Sequence, residues 1–420
     1  MPLKIITTPY YSLCQGALAD GCKQCVKGEK LVLFVTGICP ADCFFCPLSP
    51  EKKMKDVVFA NERELVGTQD EQIAQMIEEA RASGAKGAGV TGGDPLARLD
   101  RTCAMVAALK REFGKEFHIH LYTPLILVNE TTLRRLYDVG LDEIRFHPSL
   151  SSEKFWPRMR LARRHPWRIG VEVPVLPDKV AESERLIDYA AKERILSFLN
   201  LNELEISELT LDTFARRGYE IVRRESYAIK GSREAAKVLM RYAQQYSLPA
   251  HFCTTKLKDR VQMGNRVIRR AKSEARPFDI VDKEGLLTRG AVYLSYRPEF
   301  SYTKKLRSTS EHERERELAS LQEILAWLRE QGMPDDAGSI DRERMRIVMG
   351  AEALREISSA LKRRFPDTTL AVVKEYPTSD AFLVETTMLE PRERRAQEIE
   401  NKRAQKRERK KERKISIRGS

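Results

Sequence analysis

Between residues 31 and about 255, short apolar runs alternate with longer stretches whose apolar residues recur every three or four positions. The runs cover 31–38, 87–91, 118–123, 143–147, 169–176 and 198–204. Short, near-continuous apolar runs fit parallel strands buried on both faces. Between them, 70–82 carries apolar residues at 73, 76, 77 and 80 and stops before Ser83-Gly84, the pattern of an amphipathic helix and its end. Stretches 102–113, 130–139 and 182–192 read the same way. Repeated βα units of this length predict an α/β fold with a parallel sheet, open or curled into a barrel.

Beyond residue 232 the pattern predicts a helix at 233–246, a short strand at Ala250–Cys253 and a basic helical stretch at 256–270. A different rhythm follows. Hairpins are predicted at 280–294 around Lys283-Glu284-Gly285 and at 370–386 around Pro377-Thr378-Ser379-Asp380. Between them lie helices at Glu311–Glu330 and Ala351–Arg364 and a strand at 344–349. This predicts five segments: a Cys-rich extension at 1–30, a βα domain at 31–255, a basic linker at 256–279, a small α+β domain at 280–390 and a basic tail at 391–420.

Charge changes the picture only at the end of the chain. Of a formal net charge of +13, the last 30 residues hold 13 Lys and Arg against 5 Asp and Glu, so 13 − 5 = +8. That segment cannot bury a core and reads either as a solvated tail or as a basic arm for RNA or another polyanion. Arg266, Arg269 and Arg270 fall on neighbouring turns of the basic stretch, which reads as a solvated face or as a phosphate-binding one. No apolar run approaches the roughly 18 residues of a membrane span, and the first residues lack a signal-peptide pattern. A cytoplasmic protein is therefore expected, in which clustered cysteines mean metal more than disulfides.

Six of the eight cysteines lie between Cys14 and Cys46. Cys39, Cys43 and Cys46 follow the first apolar run directly, with Cys-x3-Cys-x2-Cys spacing. Zinc sites favour paired knuckles, and this run lacks a second pair. Three thiols in eight residues, with Pro40 and Asp42 between them, are no way to build a core. At the C-terminal end of a predicted strand they read as ligands of a four-iron, four-sulfur cluster one cysteine short of its usual four. Upstream, Cys14, Cys22 and Cys25 form a second group that Cys253 could complete. It reads as an auxiliary iron–sulfur cluster, as structural zinc or as free thiols. Cys103 lies in a helical stretch and reads as a core thiol.

The cysteine loop, followed after the next strand by Val90-Thr91-Gly92-Gly93-Asp94-Pro95, resembles the radical SAM superfamily and its Gly-Gly-Glu-Pro motif. With Gly21-Cys22-Lys23-Gln24-Cys25 and His251-Phe252-Cys253-Thr254-Thr255-Lys256, the wider chain looks like archaeal members described as related to pyruvate formate-lyase activating enzyme. The resemblance implies a partial (β/α)6 TIM-like barrel. It also implies that S-adenosylmethionine fills the open iron position. Gly92, Gly93 and Asp94 would hold its amino group, with Asp one methylene shorter than the usual Glu. Tyr122, His147, Glu172 and Asn200, near later strand ends, would contact the rest of it. A reductant of ferredoxin or flavodoxin type would supply one electron, and a 5′-deoxyadenosyl radical would take hydrogen from the substrate. Three readings follow: an enzyme acting on a macromolecule such as RNA, an activase or modifier of a partner protein, and a non-catalytic metal-stabilised nucleic-acid-binding protein.

Overall fold

The computed structural model describes residues 3–389 except 225, 300 and 301. The basic tail, and with it the arm expected to bind RNA, lies outside the described residues. The chain divides into two compact units, Met1–Ser273 and Glu274–Ser420.

The first unit begins with β1 (Ile5–Thr7), β2 (Leu13–Gln15), α1 (Asp20–Val26) and β3 (Lys30–Phe34). A hairpin of β4 (Val58–Ala60) and β5 (Arg63–Leu65) precedes α2 (Gln69–Ala82). Alternation then takes over: β6 (Gly87–Thr91), α3 (Leu99–Phe113), β7 (His118–Thr123), α4 (Glu130–Asp138), β8 (Glu143–Phe146), β9 (Arg168–Val175), α5 (Val180–Lys192) and β10 (Phe198–Glu203). The unit ends with α6 (Leu211–Arg216), α7 (Ser232–Gln244), β11 (Ala250–Cys253) and α8 (Gly264–Glu274).

Strands β3, β6, β7, β8, β9, β10 and β11 are parallel, each beside its successor in the chain. That is the order of a barrel, not of a doubly wound sheet. Among the described residues the sheet has seven parallel strands where six were expected, because β11 adds to β10 with Asn200 opposite His251. No pairing among the described residues closes β3 onto β11. Instead β4 and β5 extend one edge, and antiparallel β2 and β1 extend the other. Residues 1–30 therefore do not stand apart as an extension: β2 lies in the sheet with Cys14 opposite His251.

The strands are also not apolar on both faces. Leu31, Leu33, Ala88, Val90, Ile119, Leu121, Ile144 and Phe146 share one core with residues of α2, α3, α4, α5 and α7. The alternate positions carry Lys30, His120, Tyr122, Glu143, Arg145, Glu172, Asn200, Asn202 and His251. Side chains alternate across a strand, so these polar groups share the opposite face. Helix α1 lies against that face, held by Arg168 to Asp20 at 3.3 Å and by contacts with β6 and β7.

The basic stretch does not behave as a linker. It forms a π-helical turn at Leu257–Met263 and α8, both within the first unit. Arg266 pairs with Glu62, Arg269 with Glu29 at 3.7 Å and Arg270 with Glu79 at 2.5 Å. The structure thus gives these arginines carboxylate partners.

The second unit holds β12 (Ile280–Val281), β13 (Leu287–Tyr293), α9 (Tyr302–Arg307), α10 (Glu311–Glu330), β14 (Gly338–Asp341), β15 (Arg346–Met349), α11 (Ala351–Arg364), β16 (Thr369–Glu375) and β17 (Leu383–Met388). Its antiparallel sheet runs β14-β15-β13-β16-β17, with β12 paired to β13. Arg346 is fully buried in it, held by Glu375 at 2.7 Å and Asp341 at 3.0 Å.

Candidate functional site

Two loops leave neighbouring strands at the C-terminal edge of the sheet and lie backbone against backbone. After β3, the chain from Thr36 to Cys46 runs beside the chain from Gly92 to Asp94 that follows β6. The Gly93 amide donates to the Thr36 carbonyl at 2.7 Å, and the Asp94 amide donates to the Ile38 carbonyl at 2.9 Å. A Cβ on Gly92 would come within 2.3 Å of the Thr36 carbonyl oxygen, and one on Gly93 within 2.5 Å of that of Ile38. Only glycine permits this approach. The two motifs are therefore one structure, with the second holding the first in place.

Asp94 is completely buried. Its Oδ1 accepts the Leu96 amide at 3.0 Å, capping the turn Pro95–Arg98. Its Oδ2 has no hydrogen-bond partner among the described residues, and neither has the hydroxyl of buried Thr123. Burial pushes the Asp94 carboxyl up to about 6, against the opposing pull of the Leu96 amide. An unpartnered carboxylate oxygen in a dry setting suits a cationic ligand atom such as an ammonium.

Cys39, Cys43 and Cys46 are half-buried. The Cys43 thiol is pushed up to about 11, first by burial and then by the thiols of Cys39 and Cys46. Cys39 is raised by burial and also feels Cys46. Thiols that sense one another this way share one small region. Among the described residues no three His, Cys, Asp or Glu side chains already stand at metal-binding distance, these three included. The donor set nevertheless fits a cluster: three soft sulfurs on one loop, seated against a glycine cradle with a free carboxylate oxygen in its buried side.

Aromatic rings flank the loop. Phe45 lies 5.8 Å from the His147 ring, and Phe44 packs on Phe45 at 5.1 Å beneath the Arg217 guanidinium at 3.8 Å. His147 Nδ1 meets the Glu172 carbonyl at 2.9 Å, and burial lowers its pKa. Of the later strand-end residues expected to touch the cofactor, His147 is the one the structure brings against the cysteine loop.

Tyr122, Glu172 and Asn200 belong to a second group, on the polar face. Arg145 is at its centre. It donates to Glu172 at 2.8 Å, Glu143 at 2.6 Å and the Tyr122 hydroxyl at 3.2 Å. Asn200 and Asn202 donate to Glu172 at 2.9 and 3.0 Å. Burial would raise the Glu172 carboxyl, but Arg145 and the two amides outweigh it and hold it below the usual range. These three residues are engaged with one another. Arg145 also reaches the Cys22 thiol at 3.5 Å, and Asn200 reaches it at 3.2 Å. Cys103 is a buried core residue of α3.

Arg145, at the centre of that network, reads from the sequence as a strand-end residue beside His147 in a position that contacts the cofactor in the family; the sequence also carries a signal of the face it lies on. Histidines 118 and 120, Glu143 with Arg145, and Asn200 with Asn202 each recur at period two inside otherwise apolar strands. In strands this marks a polar interior face.

Residues 33–173, which hold both loops, match the model of the radical SAM superfamily. A Methanocaldococcus jannaschii protein named "putative glycyl-radical enzyme activating enzyme" is 38% identical over 380 residues, covering 88% of this chain and 92% of that one. Among solved structures, the radical S-adenosylmethionine methyltransferase TsrM of Kitasatospora setae is 12% identical over 60% of this chain and 54% of that one, with a TM-score of 0.33. Coproporphyrinogen III oxidase of Escherichia coli is 12% identical over 80% and 91%, with a TM-score of 0.29. Likenesses that weak place no residues. The curated relative does the deciding, because its identity spans nearly the whole chain and the family model spans the two interlocked loops: the chain belongs to the radical SAM superfamily and is an enzyme that uses a four-iron, four-sulfur cluster and S-adenosylmethionine.

Proposed function

We propose that the protein is an activase or modifier of a partner protein, abstracting hydrogen from a residue of that partner. The observation that carries this reading is the extent of the match to the relative named as an activating enzyme. It covers 88% of the chain, whereas the first unit accounts for 273 of 420 residues. The likeness must therefore extend well into the second unit, beyond what cofactor binding alone requires. The RNA reading gains nothing from the basic stretch, whose arginines are paired with carboxylates, and the basic tail that motivated it lies outside the described residues.

In this reading the open sheet is a partial barrel with its site at the C-terminal edge. Cys39, Cys43 and Cys46 hold the cluster. When bound, cluster and S-adenosylmethionine together supply a carbon-centred radical once a ferredoxin- or flavodoxin-type donor provides one electron. The protein's part is placement. The Gly92 and Gly93 backbone admits the methionine end of the cofactor, and Asp94 Oδ2 accepts from its ammonium. The Phe44 and Phe45 rings keep water from the loop. His147, with Nδ1 turned to the Glu172 carbonyl, sets its ring beside that of Phe45.

The test compares a deletion strain with its parent by mass spectrometry of both peptides and nucleosides. A modification missing from a peptide, with nucleosides unchanged, is expected. A missing nucleoside modification with an unchanged proteome would overturn the reading.

A further inference from the structure

Four cysteines outside the cofactor loops converge from three separate segments. Cys22 and Cys25 lie three residues apart in α1, one turn along the same helix face. Cys14 lies in β2, directly opposite His251 of β11, and Cys253 follows two residues on, so both face the side of the sheet that His251 faces. Val26 of α1 packs with Cys253 and Leu257, joining the helix to that strand end. Gln262, in the π-helical turn, donates to the Cys253 thiol at 3.7 Å. Helix α1 can sit this deep because residue 21 is glycine: a Cβ there would lie 2.6 Å from both the Arg145 guanidinium and the His120 ring.

A packed core does not explain this group. The thiols are free, and Cys14, Cys22 and Cys253 are each under a tenth exposed. His251 is only 4% exposed, and neither of its ring nitrogens has a hydrogen-bond partner among the described residues. A buried imidazole with two unmet nitrogens costs free energy unless something fills its surroundings. The pair register sets it between Cys14 of β2 and Asn200 of β10, two residues before Cys253 on its own strand.

We propose that Cys14, Cys22, Cys25 and Cys253 bind a second, thiolate-ligated metal centre against the polar face of the parallel sheet, with His251 beside it. Each thiol gives its proton to solvent as its sulfur takes the zinc ion or an iron of the cluster, and the cysteine sulfur keeps its oxidation state. The added negative charge has partners in place. Arg145 and Asn200 reach the Cys22 sulfur at 3.5 and 3.2 Å. Cys22 is tied to β10 through Asn200, which stands opposite His251 of β11. Four sulfurs suit zinc or an iron–sulfur cluster alike. The site shares no cysteine with the cofactor loop.

The experiment measures metal in full-length protein in which Cys39, Cys43 and Cys46 are all replaced by alanine. One sample is loaded with zinc chloride, another anaerobically with ferrous iron and sulfide. After desalting, about one zinc or about four irons per chain should remain, and which sample retains its metal identifies the centre. Adding Cys22→Ser and Cys25→Ser should remove that metal. A folded triple variant that retains no metal in either sample overturns the proposal, as does metal that survives the serine substitutions. Should the triple variant not fold, Cys22→Ser/Cys25→Ser in the otherwise native chain is compared with native protein and with Cys103→Ser. Loss of the same increment of metal in the first alone supports the site, and equal metal in all three refutes it.

Discussion

At Asp94 the protein carries a cost that makes sense only with a ligand. The folded-state pKa is raised to about 6 by burial, so the neutral form is favoured. A raised carboxyl contributes stability that is fully present below its unfolded value and lost as pH rises through 6. At neutral pH the ionised group costs about 3 kcal/mol, from a shift of roughly two units. Asp94→Asn keeps an acceptor for the Leu96 amide and removes the charge. The apo variant should therefore melt higher than native protein at pH 7.5, with the difference shrinking toward zero as pH falls to 4. Equal melting at both pH values would show that the carboxylate is not penalised. The same variant loses a charge-assisted hydrogen bond to the ammonium of S-adenosylmethionine. Affinity measured on reconstituted protein should drop roughly 10- to 150-fold, from about 1.5–3 kcal/mol. Gly93→Ala acts differently, because its Cβ would strike the Ile38 carbonyl. Reconstituted iron content should fall while the far-ultraviolet circular dichroism of the chain stays as it was.

Among the elements, the polar face has most at stake. Arg145 is 1% exposed and lies between two carboxylates, buried Glu143 and partly buried Glu172. Removing one partner of a buried pair leaves the other uncompensated, typically at about 3–5 kcal/mol. Arg145→Met should lower the melting temperature by roughly 6–20 °C in a unit of this size. A change of a degree or less would mean that the network is not what holds α1 to the sheet. The βα elements themselves were legible. Strands at Gly87–Thr91 and His118–Thr123 and helices at Glu311–Glu330 and Ala351–Arg364 lie where the periodicity placed them. Three-residue β1, β2, β4 and β5 were not, because so short a strand shows no period; their pairing is decided by partners far away in the chain. Helix α1 was missed for a similar reason. Its seven residues hold two cysteines and a glycine, and tertiary contact with Arg145 and Asn200, not an apolar stripe, determines its place.

For the whole molecule, the motif-bearing part of the site was readable because both loops are local in sequence. Their interlock was not, since it rests on hydrogen bonds between residues 36–38 and 93–94. Of the deeper residues expected at strand ends, Tyr122 lies near the end of β7, but Glu172 and Asn200 stand mid-strand, and which partners they take depends on strand register. Among the described residues no helix is long and apolar enough to cross a membrane. Every group assigned here to the cofactor lies within residues 36–147. Removal of residues 391–420 should therefore leave reductive cleavage of S-adenosylmethionine unchanged, as measured by 5′-deoxyadenosine yield. The most direct test of the central claim is that same yield in full-length protein, reconstituted anaerobically with iron and sulfide and reduced with dithionite, compared with its Cys43→Ala variant. The native protein should form 5′-deoxyadenosine and methionine, and the variant neither. Product from both, or no product from a native protein that carries its cluster, would contradict the account.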